Sequence, residues 1–298
     1  MSARDGDRTG LAIILSLLAL ALFDMMGLII KHLSPAYTAA ELSAYRNLFG
    51  MVPSVAALWA SKQWRQSGKS LRLRQWKLAL FRGASVTFAQ LAFYASLGLM
   101  AFATATTISY SMALFITAFA YPLLGERVGP LRWIAVLIGF AGVLMVTGLG
   151  RDAFSWAALL PVGAASLYAL SAVTARMMDD DAPTPVVNLY SSVAALVGAF
   201  LLAAALGGFT PLRQASDLLW IFAMGSFGGV AVLCIVLAFR MTEQSNLAPF
   251  NYFGIPMAFV FGWLFFDEAP FGDLLPGALL IIAGGLMVVW RERRMARR

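Results

Sequence analysis

The sequence contains one cysteine, Cys234, and one histidine, His32, among its 298 residues. A single cysteine excludes an intramolecular disulfide and a multi-cysteine metal site, and a single histidine excludes a histidine-cluster metal centre. Charged residues make up only 12% of the chain, and the Gly-x-x-x-x-Gly-Lys-Ser/Thr motif of nucleotide-binding loops is absent. We therefore predict no metal, no cofactor, no catalytic residues and no direct use of ATP. A membrane-embedded enzyme remains a minor alternative.

Apolar residues are abundant instead, at 60% of the chain, in stretches too long and too frequent for a soluble core. An α-helix needs about 20 residues to cross ~30 Å of hydrocarbon, and it satisfies its own backbone groups. A membrane barrel would show alternating segments of roughly ten residues. We therefore predict an all-α polytopic membrane protein with ten transmembrane helices. The predicted spans are residues 10–31, 37–60, 76–98, 102–124, 130–149, 154–176, 185–206, 216–240, 245–266 and 270–290.

The net charge of +7 is distributed in a way that indicates topology. Most lysines and arginines outside the predicted spans fall on the side that carries both termini, above all in residues 62–77 and 291–298. By the positive-inside rule both termini are cytoplasmic, and the inner (plasma) membrane is the expected location. Basic clusters of this kind contact anionic lipid headgroups of the bilayer, so nucleic acid is not expected as a partner.

The two halves of the chain carry the same residues at one constant spacing. The matched residues include Tyr110, Phe119, Glu126, Gly142 and Met145 in the first half and Tyr252, Phe261, Glu268, Gly284 and Met287 in the second. We predict two repeats, residues 1–150 and 151–298. Because each repeat holds five spans, the second enters the membrane inverted. Inverted repeats are typical of secondary transporters, whose substrate site lies between the repeats.

Ionisable side chains inside spans are costly and indicate function, and Asp24 and Arg46 are the deepest here. At 1.5 Å per residue, Asp24 lies roughly 20 Å from one surface and Arg46 about 13 Å from the other, so their depths are similar. Either they form an ion pair between the first two spans, or they face a cavity and bind a zwitterionic substrate. Asp24 is the candidate for proton coupling, and facilitated diffusion is favoured if Arg46 holds it ionised. Glu41 is interpreted as a solvated or capping acid.

Neutral polar and aromatic residues at mid-depth complete the candidate substrate site. They are Gln90, Tyr94, Ser109, Tyr110, Tyr168, Asn188, Asn251 and Tyr252. Since a buried polar group needs a partner, each either joins neighbouring helices or lines the cavity. We expect a path between the halves, lined mainly by the first, third, fourth, sixth, eighth and ninth spans. The glycine-rich fifth and tenth spans are expected to pack closely, and a homo-oligomer through them is a further expectation.

Several segments resemble a known family. They are Tyr45-Arg46-Asn47-Leu48, Leu123-Leu124-Gly125-Glu126-Arg127 through Gly139-Phe140-Ala141-Gly142-Val143, and Phe266-Asp267-Glu268-Ala269 through Ala283-Gly284-Gly285-Leu286. On these residues the chain resembles the drug/metabolite transporter superfamily, in its ten-span branch of paired EamA-type domains. Asn188 stands where the first half has Arg46, so any role of the arginine belongs to one half.

The resemblance implies a secondary transporter that works by alternating access on small amphipathic metabolites. In length and topology the chain is most similar to bacterial amino-acid exporters, including those for aromatic amino acids, so amino-acid export is the expected function. A drug carrier or a nucleotide-sugar carrier of the same fold is the alternative. An anionic nucleotide sugar would require several basic cavity residues, and Arg46 is the one available.

Overall fold

The computed structural model describes residues 3–66, 68, 70–125, 129–147, 155–178, 184–242, 247 and 250–296. These residues form helices, turns and loops, with no β-strand among them, which confirms the predicted all-α class. The helices are α1 (Ala3–Leu33), α2 (Ala39–Ala60), α3 (Lys62–Gln66), α4 (Trp76–Leu99), α5 (Phe102–Ser109), α6 (Met112–Leu124), α7 (Pro130–Thr147), a 3-10 turn (Trp156–Ala158), α8 (Leu159–Ala175), α9 (Thr184–Ala205), α10 (Ala215–Met241), α11 (Gly254–Phe266), α12 (Phe271–Leu274) and α13 (Gly277–Ala296).

Six helical stretches of the described residues are long and apolar enough to cross a membrane. They are Gly10–Leu33, Trp76–Leu99, Phe102–Leu124, Trp156–Ala175, Thr184–Ala205 and Ala215–Ile235. Three shorter apolar stretches (Trp133–Thr147, Gly254–Phe266 and Gly277–Met287) and the 22-residue α2 lie where the remaining spans are predicted. The chain is thus a polytopic α-helical membrane protein, and the number of ten spans stays a prediction.

The fourth predicted span is two helices rather than one continuous helix. Tyr110 and Ser111 form a turn between α5 and α6. In the second half, Tyr252 and Phe253 form a turn directly before α11. Tyr110 and Tyr252 are matched by the sequence repeat, so the chain turns at the same position in both halves. Glu126, another matched residue, lies outside the described residues.

Helices of the two halves pack against each other in matched pairs. Helix α1 of the first half contacts α10 of the second half. Its counterpart α8, in the second half, contacts α4 of the first half. Likewise α2 contacts α10 while α9 contacts α4, and α2 and α9 also contact each other. These contacts between the halves correspond when the halves are exchanged, which is the pattern expected of two repeats related by a two-fold axis.

The helices of the fifth and tenth predicted spans, α7 and α13, approach each other backbone to backbone. A Cβ atom at Gly142 would lie 2.5 Å from the carbonyl oxygen of Gly277, and one at Gly284 would lie 2.7 Å from that of Ala135. Glycine is therefore required at these crossings, because lipid supplies no hydrophobic drive and contact depends on close packing. These glycine faces pack within one chain, and the homo-oligomer through the two spans stays a prediction.

At one end of the molecule, a polar network joins α1 to α4, α5 and α11. The Lys31 Nζ and Glu268 Oε1 atoms are 2.8 Å apart, the one ion pair that joins two described residues. Lys31 Nζ also donates to the Met100 carbonyl at 2.6 Å, and the Phe102 N–H donates to Glu268 Oε2 at 2.9 Å. Side chains from both halves are thus joined at this end of the molecule.

The loop between α1 and α2, at the same end, is fastened to the start of α10. The Tyr37 hydroxyl donates to Asp217 Oδ2 at 2.7 Å and accepts from the Arg213 N–H at 3.2 Å. Burial and the bond to Asp217 raise the pKa of Tyr37 above its ordinary value. Glu41 forms a capping box with Thr38 and accepts from the N–H of Thr210. The capping role predicted for Glu41 is confirmed, but its side chain is buried rather than solvated.

Candidate functional site

A cleft of about 860 Å³ lies between α2, α9 and α10, with Val86 of α4 also in its wall. It runs from the last turn of α2 and the first turn of α9 to Arg46 in the body of α2. Its polar lining consists of Arg46, Asn47, Ser54, Ser61, Lys62, Thr184, Asn188, Ser191 and Ser192. Small-molecule sites occupy roughly 300–1,000 Å³, so the cleft is large enough for a metabolite.

Helical periodicity explains why these polar residues converge. Asn188, Ser191 and Ser192 are three and four residues apart on α9, so they share one face of the helix. On α2, Ser54 follows Arg46 by two turns, and its Oγ lies 3.3 Å from the Ser192 Oγ across the cleft. The repeat-related residues Arg46 and Asn188 therefore line the same space, which joins one residue of each half.

Arg46 is anchored to a buried amide network. Its Nη1 donates to Asn47 Oδ1 at 3.2 Å. Asn47 Nδ2 donates to Gln90 Oε1 at 2.8 Å, and Gln90 Nε2 donates back to Asn47 Oδ1 at 3.2 Å. Ser43 Oγ donates to the same Gln90 oxygen at 2.9 Å, and Asn47 Nδ2 also reaches the Ala195 carbonyl at 3.3 Å. The candidate Gln90 thus joins α2 to α4, and both ends of its side-chain amide form hydrogen bonds within the protein.

The remaining donors of Arg46 point toward α10. Its Nε is buried and has no hydrogen-bond partner among the described residues. A Cβ atom at Gly228 would lie 3.3 Å from that Nε, and one at Gly229 would lie 2.5 Å from Pro53 Cγ. The two glycines let α2 approach α10 and leave room for the guanidinium. A buried cationic donor without a protein acceptor is suited to an acceptor on a bound molecule.

The ion pair predicted between Asp24 and Arg46 is wrong. Asp24 is 5% exposed, its Oδ2 has no hydrogen-bond partner, and no ion pair joins it to Arg46 or to another described residue. The guanidinium turns instead to Asn47 and to the gap at Gly228. The two charges have similar predicted depths, but they occupy different surroundings, and Asp24 does not line the cleft.

Asp24 belongs to a second group of candidates at the two helix turns. It lies within electrostatic range of Tyr110, whose ring centroid is 6.2 Å from that of Tyr252. The Tyr110 hydroxyl packs against Gly254 and that of Tyr252 against Gly285. Ser109, on the last turn of α5, donates to the Thr106 carbonyl at 2.7 Å and so bonds within its own helix.

The other candidates are dispersed. Tyr94 is buried in the largest apolar cluster, which also includes parts of α1 and α10. Tyr168 is half-buried and lies within electrostatic range of Tyr94 and Arg46. Asn188 is exposed in the cleft, and Asn251 is half-buried beside the turn before α11. Substrate binding by these residues stays a prediction.

The cleft walls differ from the predicted path. They come from the second, third, seventh and eighth predicted spans, whereas we expected mainly the first, third, fourth, sixth, eighth and ninth. Sequence reasoning missed Asn47, Ser54, Ser191 and Ser192, although the helical spacing of the serines with Arg46 and Asn188 was visible. Arg82, which from its position near the end of its span is expected to snorkel, instead donates through Nε and Nη1 to the Ser171 carbonyl at 3.0 Å and Ser191 Oγ at 3.4 Å.

Nothing in the described residues resembles an enzymatic metal site, since no three His, Cys, Asp or Glu side chains are grouped there. The model of the EamA-like transporter family matches residues 10–148 and residues 155–290. A crystal structure of another protein, 21% identical in sequence, aligns over 95% of this chain and 97% of that one with a TM-score of 0.64. At that identity the likeness supports the fold alone.

Curated relatives agree with the family match. A riboflavin transporter of Rhizobium johnstonii is 36% identical over 62% of this chain and 60% of its own length. A riboflavin transporter of Vibrio cholerae is 30% identical over 68% of this chain and 69% of its own length. An S-adenosylmethionine uptake transporter of Rickettsia felis is 24% identical over 94% of this chain and 92% of its own length. With its helical membrane fold and these matches, the chain belongs to the EamA-like transporter family, a family of transporters and not of enzymes.

Proposed function

We propose that the chain carries an uncharged or weakly anionic, hydroxyl-rich heterocyclic metabolite of the riboflavin kind, and that this substrate binds in the cleft at Arg46. The observation that supports the proposal is the charge of the cleft. Its described lining includes two basic residues, Arg46 and Lys62, and no carboxylate. Such a lining favours ligands that offer hydrogen-bond acceptors and disfavours cations.

Riboflavin has the acceptors and hydroxyl groups that this lining could bind. The carbonyl oxygens and ring nitrogens of a flavin would accept from the guanidinium of Arg46, whose Nε has no partner among the described residues. The amide of Asn188 can both donate and accept, which suits the imide edge of the ring. The aliphatic wall formed by Val232, Leu233 and Ile235 offers an apolar face for the ring system. The two most similar curated relatives named above are riboflavin transporters.

Two other substrates fit this cleft less well. S-adenosylmethionine, the substrate of the Rickettsia relative, carries a sulfonium cation, and an amino acid carries an ammonium group. Either cation would be placed near Arg46 without a carboxylate from the described lining to balance it. Amino-acid export, expected from the sequence, is also not supported by the relatives. We therefore favour uptake of a flavin-like compound.

The transport cycle would use the two repeats, residues 1–150 and 151–298, as alternating halves. Support comes from the exchange-symmetric helix contacts and from the position of Arg46 and Asn188 in one cleft. With both termini in the cytoplasm, as the basic residues indicate, the cleft mouth at Lys62 and Thr184 would face the cytoplasm. The end with the Lys31–Glu268 ion pair would face outward.

The substrate assignment can be tested by counterflow in proteoliposomes that contain the purified full-length chain. We expect exchange of radiolabelled riboflavin and no exchange of S-adenosylmethionine, phenylalanine or a nucleotide sugar. Expression in a riboflavin-auxotrophic bacterium should restore growth at low external riboflavin, which tests uptake directly. Exchange of phenylalanine without exchange of riboflavin would refute the proposal.

A variant series links the transport to the cleft. Arg46→Gln should weaken the apparent riboflavin affinity about tenfold or more, because a hydrogen bond from a charged donor contributes roughly 1.5–3 kcal/mol. Arg46→Lys should recover part of the loss, since it restores the charge without the forked geometry. Arg213→Gln is the matched control, because its side chain is exposed at the opposite end of the molecule. Equal affinities in all four proteins would exclude the Arg46 site.

A further inference from the structure

The buried carboxyl of Asp24 lies in apolar surroundings. Its neighbours in the chain, Phe23 and Met25, pack against the largest apolar cluster, and Phe23 also packs against the cluster of Ala19, Ala231 and Cys234. Asp24 Oδ2 makes no hydrogen bond, and no described cation lies within ion-pair distance. An ionised carboxylate placed there would be buried without compensation, which proteins avoid by pairing the charge or neutralising it.

Hydroxyl groups without partners are concentrated on the fourth and ninth predicted spans, which pack next to α1. Besides Arg46 Nε, the buried side-chain atoms that lack a partner in the described residues belong to Asp24, Thr106, Thr107, Ser111 and Tyr252. Those of Thr106, Thr107 and Ser111 lie on α5 and the turn that follows it, and Tyr252 begins the equivalent turn of the second half. α1 contacts both α5 and α11, so the carboxyl and these hydroxyls belong to adjacent elements.

The other ionisable groups on the elements packed against α1 are either neutral or occupied. Tyr110, Tyr252 and, on α4, Tyr94 are neutral phenols, and Cys234 on α10 is a buried free thiol. Two pairs of charged or polar groups at the ends of these helices are joined in the described residues: Lys31 with Glu268, and Asp217 with Tyr37. Arg82 on α4 is bound to α8 and α9. Lys77, also on α4, lies over the Trp76 ring at the far end of that helix.

We propose that Asp24 is a proton-binding site, occupied in the conformation described above, and that loading and release of this proton couple transport to the proton gradient. A proton from water forms an O–H bond at the Asp24 carboxyl and leaves as the same bond breaks when the site is exposed on the other side. The tyrosine turns of the two halves flank the site, so a rearrangement there would change its access to water. The coupling part of this inference rests on the proposed transport function, whereas the proton binding does not.

Proton binding can be measured without any substrate. Infrared pH-difference spectra of the full-length chain in lipid nanodiscs should show the carbonyl stretch of a protonated carboxylic acid, which an ionised carboxylate lacks. We expect this band to be lost in Asp24→Asn and to persist, at a shifted position, in Asp24→Glu. Asp217→Asn is the matched control and should keep the band, because Asp217 accepts a hydrogen bond at the end of α10. An unchanged band in Asp24→Asn, or none in the wild type, would overturn the site.

Coupling is then measured in proteoliposomes. An acid-outside gradient should drive riboflavin accumulation in the wild type, and Asp24→Asn should lose that accumulation while counterflow, which needs no net proton movement, continues. If accumulation instead follows a sodium gradient and ignores the proton gradient, the coupling is refuted. Loss of the infrared band without any riboflavin transport would reject the substrate and leave the proton site. Riboflavin transport together with an infrared band that is unchanged in Asp24→Asn would support the substrate and reject the proton site.

Discussion

Arg46 and Asp24 lie on consecutive helices, α2 and α1, yet their surroundings differ in almost every respect. Arg46 is tied to Asn47, which is itself bonded to Gln90, and its charge borders a polar cleft. Asp24 has no hydrogen bond at Oδ2 and no ion-pair partner in the described part of the chain. The arginine is held by a network that spans both halves, whereas the acid is isolated among apolar side chains.

This difference separates groups that stabilise the bundle from groups that are available for exchange. A satisfied network costs stability when one member is removed, because the remaining members are left buried and unpaired. A group without partners costs little when it is replaced by a neutral isostere. The Lys31–Glu268 pair lies between these extremes, because it is well paired but partly exposed. Three substitutions should therefore lower the free energy of unfolding by amounts that follow a fixed order.

The largest loss is expected for Asn47→Leu. This change removes both amide bonds to Gln90 and the acceptor of Arg46 Nη1. Unsatisfied buried groups cost about 1–3 kcal/mol each, although hydrogen bonds in membrane proteins average nearer ~0.6 kcal/mol. We expect a total loss of roughly 2–3 kcal/mol in unfolding of the purified protein by dodecyl sulfate in mixed micelles. Asn251→Leu is the control, since Asn251 is only half-buried; an equal loss in both would contradict the network.

An intermediate loss is expected for Glu268→Gln. The amide keeps an acceptor for the Phe102 N–H but removes the charge that pairs with Lys31. Partly exposed pairs contribute about 0.2–1 kcal/mol, so we expect a loss of up to ~1 kcal/mol. A double-mutant cycle with Lys31→Gln isolates the pair, and a coupling energy of zero would show that the pair does not stabilise the contact between the halves at this end.

The smallest loss is expected for Asp24→Asn. Removing one partner of a buried ion pair costs about 3–5 kcal/mol, but Asp24 has no such partner and its proton already neutralises it in our proposal. We expect a change smaller than that of Glu268→Gln in the same micelle assay. A loss as large as that of Asn47→Leu would mean that Asp24 is ionised and paired. Asp24 would then be held by partners within the bundle, as Arg46 is.

Hydropathy was sufficient to predict the helical membrane fold, because span length and apolar content are set directly by the bilayer. The turn at Tyr110–Ser111 was not predictable in this way, since it contains neither proline nor glycine. Residue depth also placed both charges correctly inside the helix bundle, where Asp24 is buried and Arg46 is half-buried. It could not pair them, because counting residues gives height along a helix and not the side of the helix that faces a neighbour.

The glycine contact between α7 and α13 sets a mechanical limit on the molecule. A Cβ atom at Gly142 would be 2.5 Å from the Gly277 carbonyl oxygen, and one at Gly277 would be 2.7 Å from the Gly142 carbonyl oxygen. The two backbones are in direct contact at this crossing, which limits how far one helix can slide along the other. The two helices would therefore turn together as one rigid body. Helices farther from this contact would move through the greater distance.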